Sequence, residues 1–188
     1  MSSRFPAPLP RRTVVAAGLA AMVLGLPHAP GAEARFILAR VMTGGGLAKL
    51  NGDGAPRLAN FSLFASSMQF PEGNTLFLGA IRWIEAGTGF RLESLEITQC
   101  SPMTDRSDGA EIRGRMSVNG KGSYPFVIHA IDGGEPGSGL DAIELDVNGP
   151  KARTGTVEPG TTDLTYQVTA TLVAGDVNWL IVDADMPS

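Results

Sequence analysis

From Glu111 to Asn119 apolar and polar side chains alternate strictly. Ile112, Gly114, Met116 and Val118 fall on one face, Glu111, Arg113, Arg115 and Ser117 on the other. A two-residue period describes a strand with one face on a core and the other in water. Asn119-Gly120 then supplies the positive-φ residues that a tight reversal requires. Ser123 to Asp132 returns as the partner strand, with Tyr124, Phe126, Ile128 and Ala130 alternating against Val127, His129 and Ile131. Apolar residues on both faces of that return predict a central strand covered on both sides. Pro125 has no N–H to give a ladder, so it is expected at an edge or bulge near the strand's start.

The same rhythm predicts strands at Phe36–Met42, Arg57–Ala65, Thr75–Glu85, Gly89–Gln99, Ala142–Val147, Asp163–Val173 and Val177–Asp183. Turn chemistry separates them: Asn51-Gly52-Asp53-Gly54, Pro71-Glu72-Gly73-Asn74, Gly87-Thr88-Gly89 and Asn148-Gly149-Pro150. No stretch carries a helical stripe. Short strands at this spacing indicate an all-β fold, a single antiparallel β-sandwich or barrel.

One apolar run does not fit that rhythm. Arg11-Arg12 precedes Thr13 to Leu26, followed by Pro27 and by Ala32-Glu33-Ala34. These are the charged start, short apolar middle and small-x-small cleavage site of a bacterial export signal. The middle falls short of the ~20 residues needed to span a bilayer. Residues 1–34 are therefore expected to be a cleaved signal peptide and 35–188 the all-β domain, periplasmic or secreted. The arginine pair partly matches a twin-arginine leader, although Pro10 precedes it and Thr13-Val14-Val15 follows it. An ordinary general-secretory leader is the other option.

Removing a leader that carries three arginines and one glutamate takes the net charge from −4 to −6. That balance speaks against nucleic acid and against anionic membrane surfaces as partners. The mature form is expected not to span a membrane. Cys100 is the chain's one cysteine, so no internal disulfide is available. It reads as a small buried hydrophobe, or else as a thiol able to pair between chains.

Candidate chemistry is sparse. Asp132-Gly133-Gly134-Glu135-Pro136-Gly137-Ser138-Gly139-Leu140-Asp141 places three carboxylates in a glycine-rich loop. Asp132, Glu135 and Asp141 could wrap a hard cation such as calcium, which takes six to eight oxygens. The alternative is a hairpin loop in which Asp132 and Asp141 accept backbone N–H bonds, the commoner use of Asp beside Gly. No other cofactor is suggested. His129 is the only histidine after cleavage, and alternating with core positions on its strand it reads as a hydrogen-bonded core residue rather than a base. Ser123 and Asp132 flank it, but neither lies in a nucleophile-elbow context. Glu93, Glu96 and Glu111 could form a glycosidase-like pair with another acid, or be ordinary exposed charges on half-wet strands. Trp83 and Trp179 sit within alternating strands and read as core rather than as a ligand surface.

Three pieces, Thr43-Gly44-Gly45-Gly46, Val118-Asn119-Gly120 with Tyr124-Pro125-Phe126, and the acidic loop Asp132 to Asp141, resemble the post-COAP-type all-β domain of exported bacterial proteins. The likeness runs from about Val41 to about Ile181. Gly175-Asp176-Val177-Asn178 is similar to that family's closing strand but lacks its usual Gly-Asn pair. The resemblance implies an exported β-domain of unassigned activity and supplies no catalytic residues. The expected function is thus a non-enzymatic interaction or structural module, meeting an unidentified protein or envelope component. The alternatives are a β-barrel holding a small ligand, and a hydrolase built on His129 or on clustered carboxylates.

Overall fold

The computed structural model describes residues 36–52, 56–134, 140–148 and 164–183, and these contain eight strands and no helix. They are β1 (Leu38–Leu50), β2 (Arg57–Gln69), β3 (Thr75–Glu85), β4 (Arg91–Pro102), β5 (Gly109–Val118), β6 (Lys121–Ile131), β7 (Ala142–Val147) and β8 (Tyr166–Asp183). Each pairs antiparallel with the next, and β8 returns to β1, closing a barrel. Between the two architectures that the alternation allowed, the chain adopts the closed one. The proposed leader lies outside the described residues.

Strand alternation decides what fills the barrel. Ala110, Ile112, Gly114 and Met116 of β5 meet Ala130, Ile128, Phe126 and Tyr124 of β6, pair by pair on the inner face. Phe61 and Leu63 of β2 meet Trp83 and Ile81 of β3, and Ile143, Leu145 and Val147 complete the far wall. An eight-stranded barrel is just wide enough for side chains to fill it. Among the described residues the inward side chains pack against one another, and the void among Phe61, Trp83, Met116, Ile128 and Leu145 is about 10 Å³. That is room for a single water at most.

Asn119 and Gly120 take φ values of 51° and 74°, the conformation of the tight turn expected between β5 and β6. Pro125 lies one residue beyond the last β6–β7 pair, Phe126 with Val147, and its carbonyl accepts the Asn148 N–H at 2.8 Å. Its missing N–H lies on that same side, opposite Asn148 at the very end of the β6–β7 ladder. Val127, on the outward phase of β6, is buried as well, in keeping with a strand covered on both sides. Trp83 is buried, and Trp179 packs against the core from β8. Cys100 is 1% exposed, and burial pushes its thiol up to about 12, so it stays protonated inside the barrel.

β2 runs past the expected Ala65 to Gln69 and β4 past Gln99 to Pro102, and two larger boundary corrections involve the closing seam. β1 does not stop at Met42 but continues through Thr43-Gly44-Gly45-Gly46 to Leu50. β8 is one strand from Tyr166 to Asp183, where Ala174-Gly175-Asp176 reads as a break between two. Both corrections have one cause. Gly46 pairs with Gly175 across the closing seam, beside a register shift at Leu47/Ala48. A Cβ at Gly46 would lie 2.1 Å from the Ala174 carbonyl oxygen, and one at Gly175 would lie 2.1 Å from that of Gly45. Glycines here are a condition of close strand approach, not a signal of strand ends.

Candidate functional site

The outer wall of β5, β6 and β7 carries the clearest polar array, and His129 belongs to it, partly exposed on the outer face rather than in the core as its alternation suggested. Glu111, His129 and Glu144 are ladder neighbours, Glu111 opposite His129 and His129 opposite Glu144. His129 Nδ1 lies 2.9 Å from Glu144 Oε2, and Nε2 lies 3.1 Å from Glu111 Oε2. Ionised carboxylates only accept, so both contacts are hydrogen bonds when each ring nitrogen carries a proton. Arg113 Nε donates to Glu111 Oε1 at 2.7 Å, and Gln99 Nε2 donates to the same oxygen at 2.9 Å. Glu111 is thus tied to three neighbouring side chains.

The hydrogen bond from Arg113 holds the Glu111 carboxyl below its usual range; His129 adds to this, and partial burial opposes it. A depressed carboxylate contributes stability that is present above its unfolded value near 4.5 and lost as pH falls through the folded one. Asp141 has the opposite sign, because burial, with Asp176 and Asp132 nearby, raises it. We therefore expect Glu111→Gln to flatten the acid limb of stability against pH, measured by urea unfolding between about pH 3 and 7. An acid limb identical to wild type would show that the array contributes nothing.

Next to Glu144, the wall of β7 and β8 forms an open groove of about 530 Å³ bordered by Asn51, Glu144, Asp146, Gln167 and Thr169. Gln167 Nε2 donates to Asp146 Oδ2 at 2.8 Å. Inward-facing Leu145 and Val168 separate this groove from the lumen by one layer of strands.

A second cluster closes one barrel mouth. Glu85 follows Ile81 and Trp83 in the inward phase of β3, and its side chain is 2% exposed. Arg57 Nη2 donates to both of its carboxylate oxygens at 2.5 Å, and the Tyr166 hydroxyl donates to Oε1 at 2.5 Å. Trp83 Nε1–H donates to that hydroxyl at 3.1 Å, while Phe90 stacks on the Tyr166 ring at 4.7 Å. Desolvation, then the neighbouring Glu85, raises the Tyr166 phenol above its ordinary value. Because β1 and β2 lie between β8 and β3 on the shorter way round the barrel, the Trp83–Tyr166–Glu85 contacts reach across the lumen at this mouth.

The acidic loop resolves into backbone capping where it is described. Asp141 accepts the N–H of Gly133 at 2.8 Å and of Val177 at 3.0 Å, one on each oxygen. Asp132 accepts the N–H of Gly134 and of Trp179, both at 3.0 Å, again one on each oxygen. Both residues tie the β6–β7 loop to β8. Glu135, the third proposed calcium ligand, lies outside the described residues. Among the described residues no group of three or more His, Cys, Asp or Glu is placed to hold a metal ion.

Ser123 is not brought to His129, and Glu93 is not brought to Glu111; the acid that Glu111 does approach is Glu144, across the His129 ring. Ser123 Oγ accepts from Arg115 Nε at 2.7 Å, and six strand residues, about 20 Å, separate it from His129. Glu93 sits opposite Ser117 and is held by Arg91 and Arg82 at 2.5 and 3.1 Å. Glu111 lies six residues further along β5 from Ser117, about 20 Å away, beyond the roughly 5–9.5 Å of a glycosidase pair. The Arg57–Glu85–Tyr166 cluster went unread in the sequence. Its signal was a glutamate in phase with Ile81 and Trp83, since a carboxylate on a core face requires a partner. Compared with known proteins, the chain matches no family model, no curated protein and no solved structure, so its resemblance to the post-COAP-type domain rests on the motifs alone.

Proposed function

We propose that this chain is an exported, non-catalytic β-barrel that works through its outer surface, as an interaction or structural module for an envelope component. The observation that carries the reading is the filled and plugged lumen. Among the described residues the lumen is packed: the pocket between Phe61, Trp83 and Met116 holds about 10 Å³, and the Trp83–Tyr166–Glu85 chain reaches across one mouth, which leaves little interior for a ligand. Binding then falls to the wall, where the groove beside Glu144 offers carboxylate, amide and hydroxyl groups to a polar partner.

Two further features support the reading. Both His129 nitrogens are engaged by carboxylates of the wall, and Ser123 is held by Arg115 at a distance from the ring, so the two do not form a nucleophile–base pair. The outward faces of β4 to β6 carry Glu93, Glu96, Glu111, Arg113, Arg115 and His129, whereas a lipid-facing barrel presents an apolar band there. No helix among the described residues is long and apolar enough to cross a membrane. Export rests on the Arg11 to Ala34 leader pattern.

The test has two arms. In a screen of ester, peptide and glycoside substrates, wild type and His129→Ala are expected to be equally inactive. Binding of envelope extract to the immobilised protein is expected to weaken in a Gln167→Ala, Thr169→Ala variant. Turnover that drops tenfold or more in His129→Ala, at an unchanged melting temperature, would replace this reading with the hydrolase.

A further inference from the structure

β3 leaves the barrel wall along half its length. It pairs with β2 over its whole span, from Ala59 with Glu85 to Gln69 with Thr75. With β4 it pairs only from Arg82 with Glu93 to Ile84 with Arg91. Two register shifts in β4, at Ser94/Glu96 and Ile97/Gln99, turn that strand inward. Its Cys100 carbonyl accepts from Ser67 Oγ of β2 at 2.8 Å, and Ile97 packs beneath Gly79. β4 thus passes under β3 rather than beside it. From Thr75 to Ala80 the outer edge of β3 has no partner strand among the described residues.

This edge lacks the devices that normally blunt one. It has no proline, no charge and no bulge from Thr75 to Ile81, and Leu76 and Leu78 are 41% and 43% exposed. Ile81 N–H already points away from β2, to Ser94 Oγ at 2.8 Å. Residues of the same phase, Phe77 and Gly79, therefore aim their N–H and C=O groups along the free edge.

We propose that this edge pairs antiparallel with the same edge of a second copy of the chain, about a two-fold axis at Leu78. In that register Phe77 of each copy meets Gly79 of the other, and both are in the phase that exchanges backbone hydrogen bonds. Leu78 meets Leu78 and Leu76 meets Ala80 on the outer face, covering the exposed leucines. Phe77 covers the bare backbone of the opposing Gly79. Charge selects the same direction. Between Arg57 and Arg82 the chain carries one charge, Glu72. Antiparallel pairing carries Glu72 of each copy toward Arg82 of the other, whereas parallel pairing would align like charges. Each copy uses its edge once, so the assembly closes at two. A net-negative protein meets its copy here over an uncharged segment. The inference stands apart from whatever the groove beside Glu144 binds.

Register makes the test sharp. Leu78 faces its own copy at a non-hydrogen-bonded position, where Cα atoms are ~4.5 Å apart, within the range of a disulfide. In a Cys100→Ala background, the purified Leu78→Cys chain is expected to form a covalent dimer on mild oxidation, and Leu76→Cys and Phe77→Cys are not. Light scattering of the wild-type chain is expected to give twice the chain mass, reverting to one in Leu78→Lys with an unchanged far-ultraviolet spectrum. A monomeric wild type with no Leu78→Cys cross-link, or a cross-link at Leu76→Cys instead, would overturn the proposal.

Discussion

Gly175→Ala is expected to destabilise the barrel by more than about 3 kcal/mol, lowering the melting temperature by roughly 10 °C in a domain of this size. Two costs combine. Gly175 has a φ of 104°, and holding a non-glycine residue there costs about 1–3 kcal/mol by itself. The added Cβ would also lie 2.1 Å from the Gly45 carbonyl oxygen and 2.6 Å from the Gly46 Cα. Those atoms are backbone in the paired strand, so no side chain can swing aside. Relief requires β1 and β8 to part at the seam that closes the barrel. Gly73→Ala separates the two costs: its φ is 86°, and its Cβ would meet nothing within 4 Å. That variant is expected to lose about 1 kcal/mol. Equal losses in the two variants, measured by denaturant unfolding, would remove the close approach from the explanation.

Arg57→Met is expected to cost about 2–3 kcal/mol, and the double variant Arg57→Met, Glu85→Leu to recover at least half of it. The single change leaves the Glu85 carboxylate, 2% exposed, with only the Tyr166 hydroxyl to hold it. Breaking a buried ion pair usually costs about 3–5 kcal/mol, because the survivor is an uncompensated charge. The lower figure reflects an Arg57 side chain that is 57% exposed, so water reaches part of the site. Replacing both partners with apolar groups removes the stranded charge, and Trp83 Nε1–H still has the Tyr166 hydroxyl as acceptor. A double variant no better than the single would mean that the plug stabilises by its ionic contacts rather than by its fit. A single loss below about 0.5 kcal/mol would reduce it to an ordinary surface pair.

The wall array was half legible. His129 and Glu111 stand out in the sequence as polar residues alternating with core positions, and the structure makes them ladder neighbours. Glu144, fifteen residues beyond His129, completes the array from β7 through a pairing that no local pattern encodes. In the acidic loop, Asp132 and Asp141 take the backbone-capping roles expected of Asp beside Gly, but their acceptor duty extends to Trp179 and Val177 on β8. That reach ties two distant segments and had no sequence signal.

Period-two alternation and turn chemistry, both local, determined that this chain would be built of strands, and they located β3 and β7 to the residue and the Asn119-Gly120 reversal between β5 and β6. They determined the inward face of β5 and β6 as well, because a strand has only two faces and the apolar one must be covered. Tertiary structure decided the rest. Closure depends on β1 meeting β8, more than a hundred residues away, and that contact turned Gly44-Gly45-Gly46 and Gly175 from apparent breaks into strand positions. Two shifts of register in β4 decided that β3 would keep a free apolar edge. Propensity acts between neighbours along the chain, whereas closure, close approach and edge exposure are properties of strands that meet only once the barrel has formed.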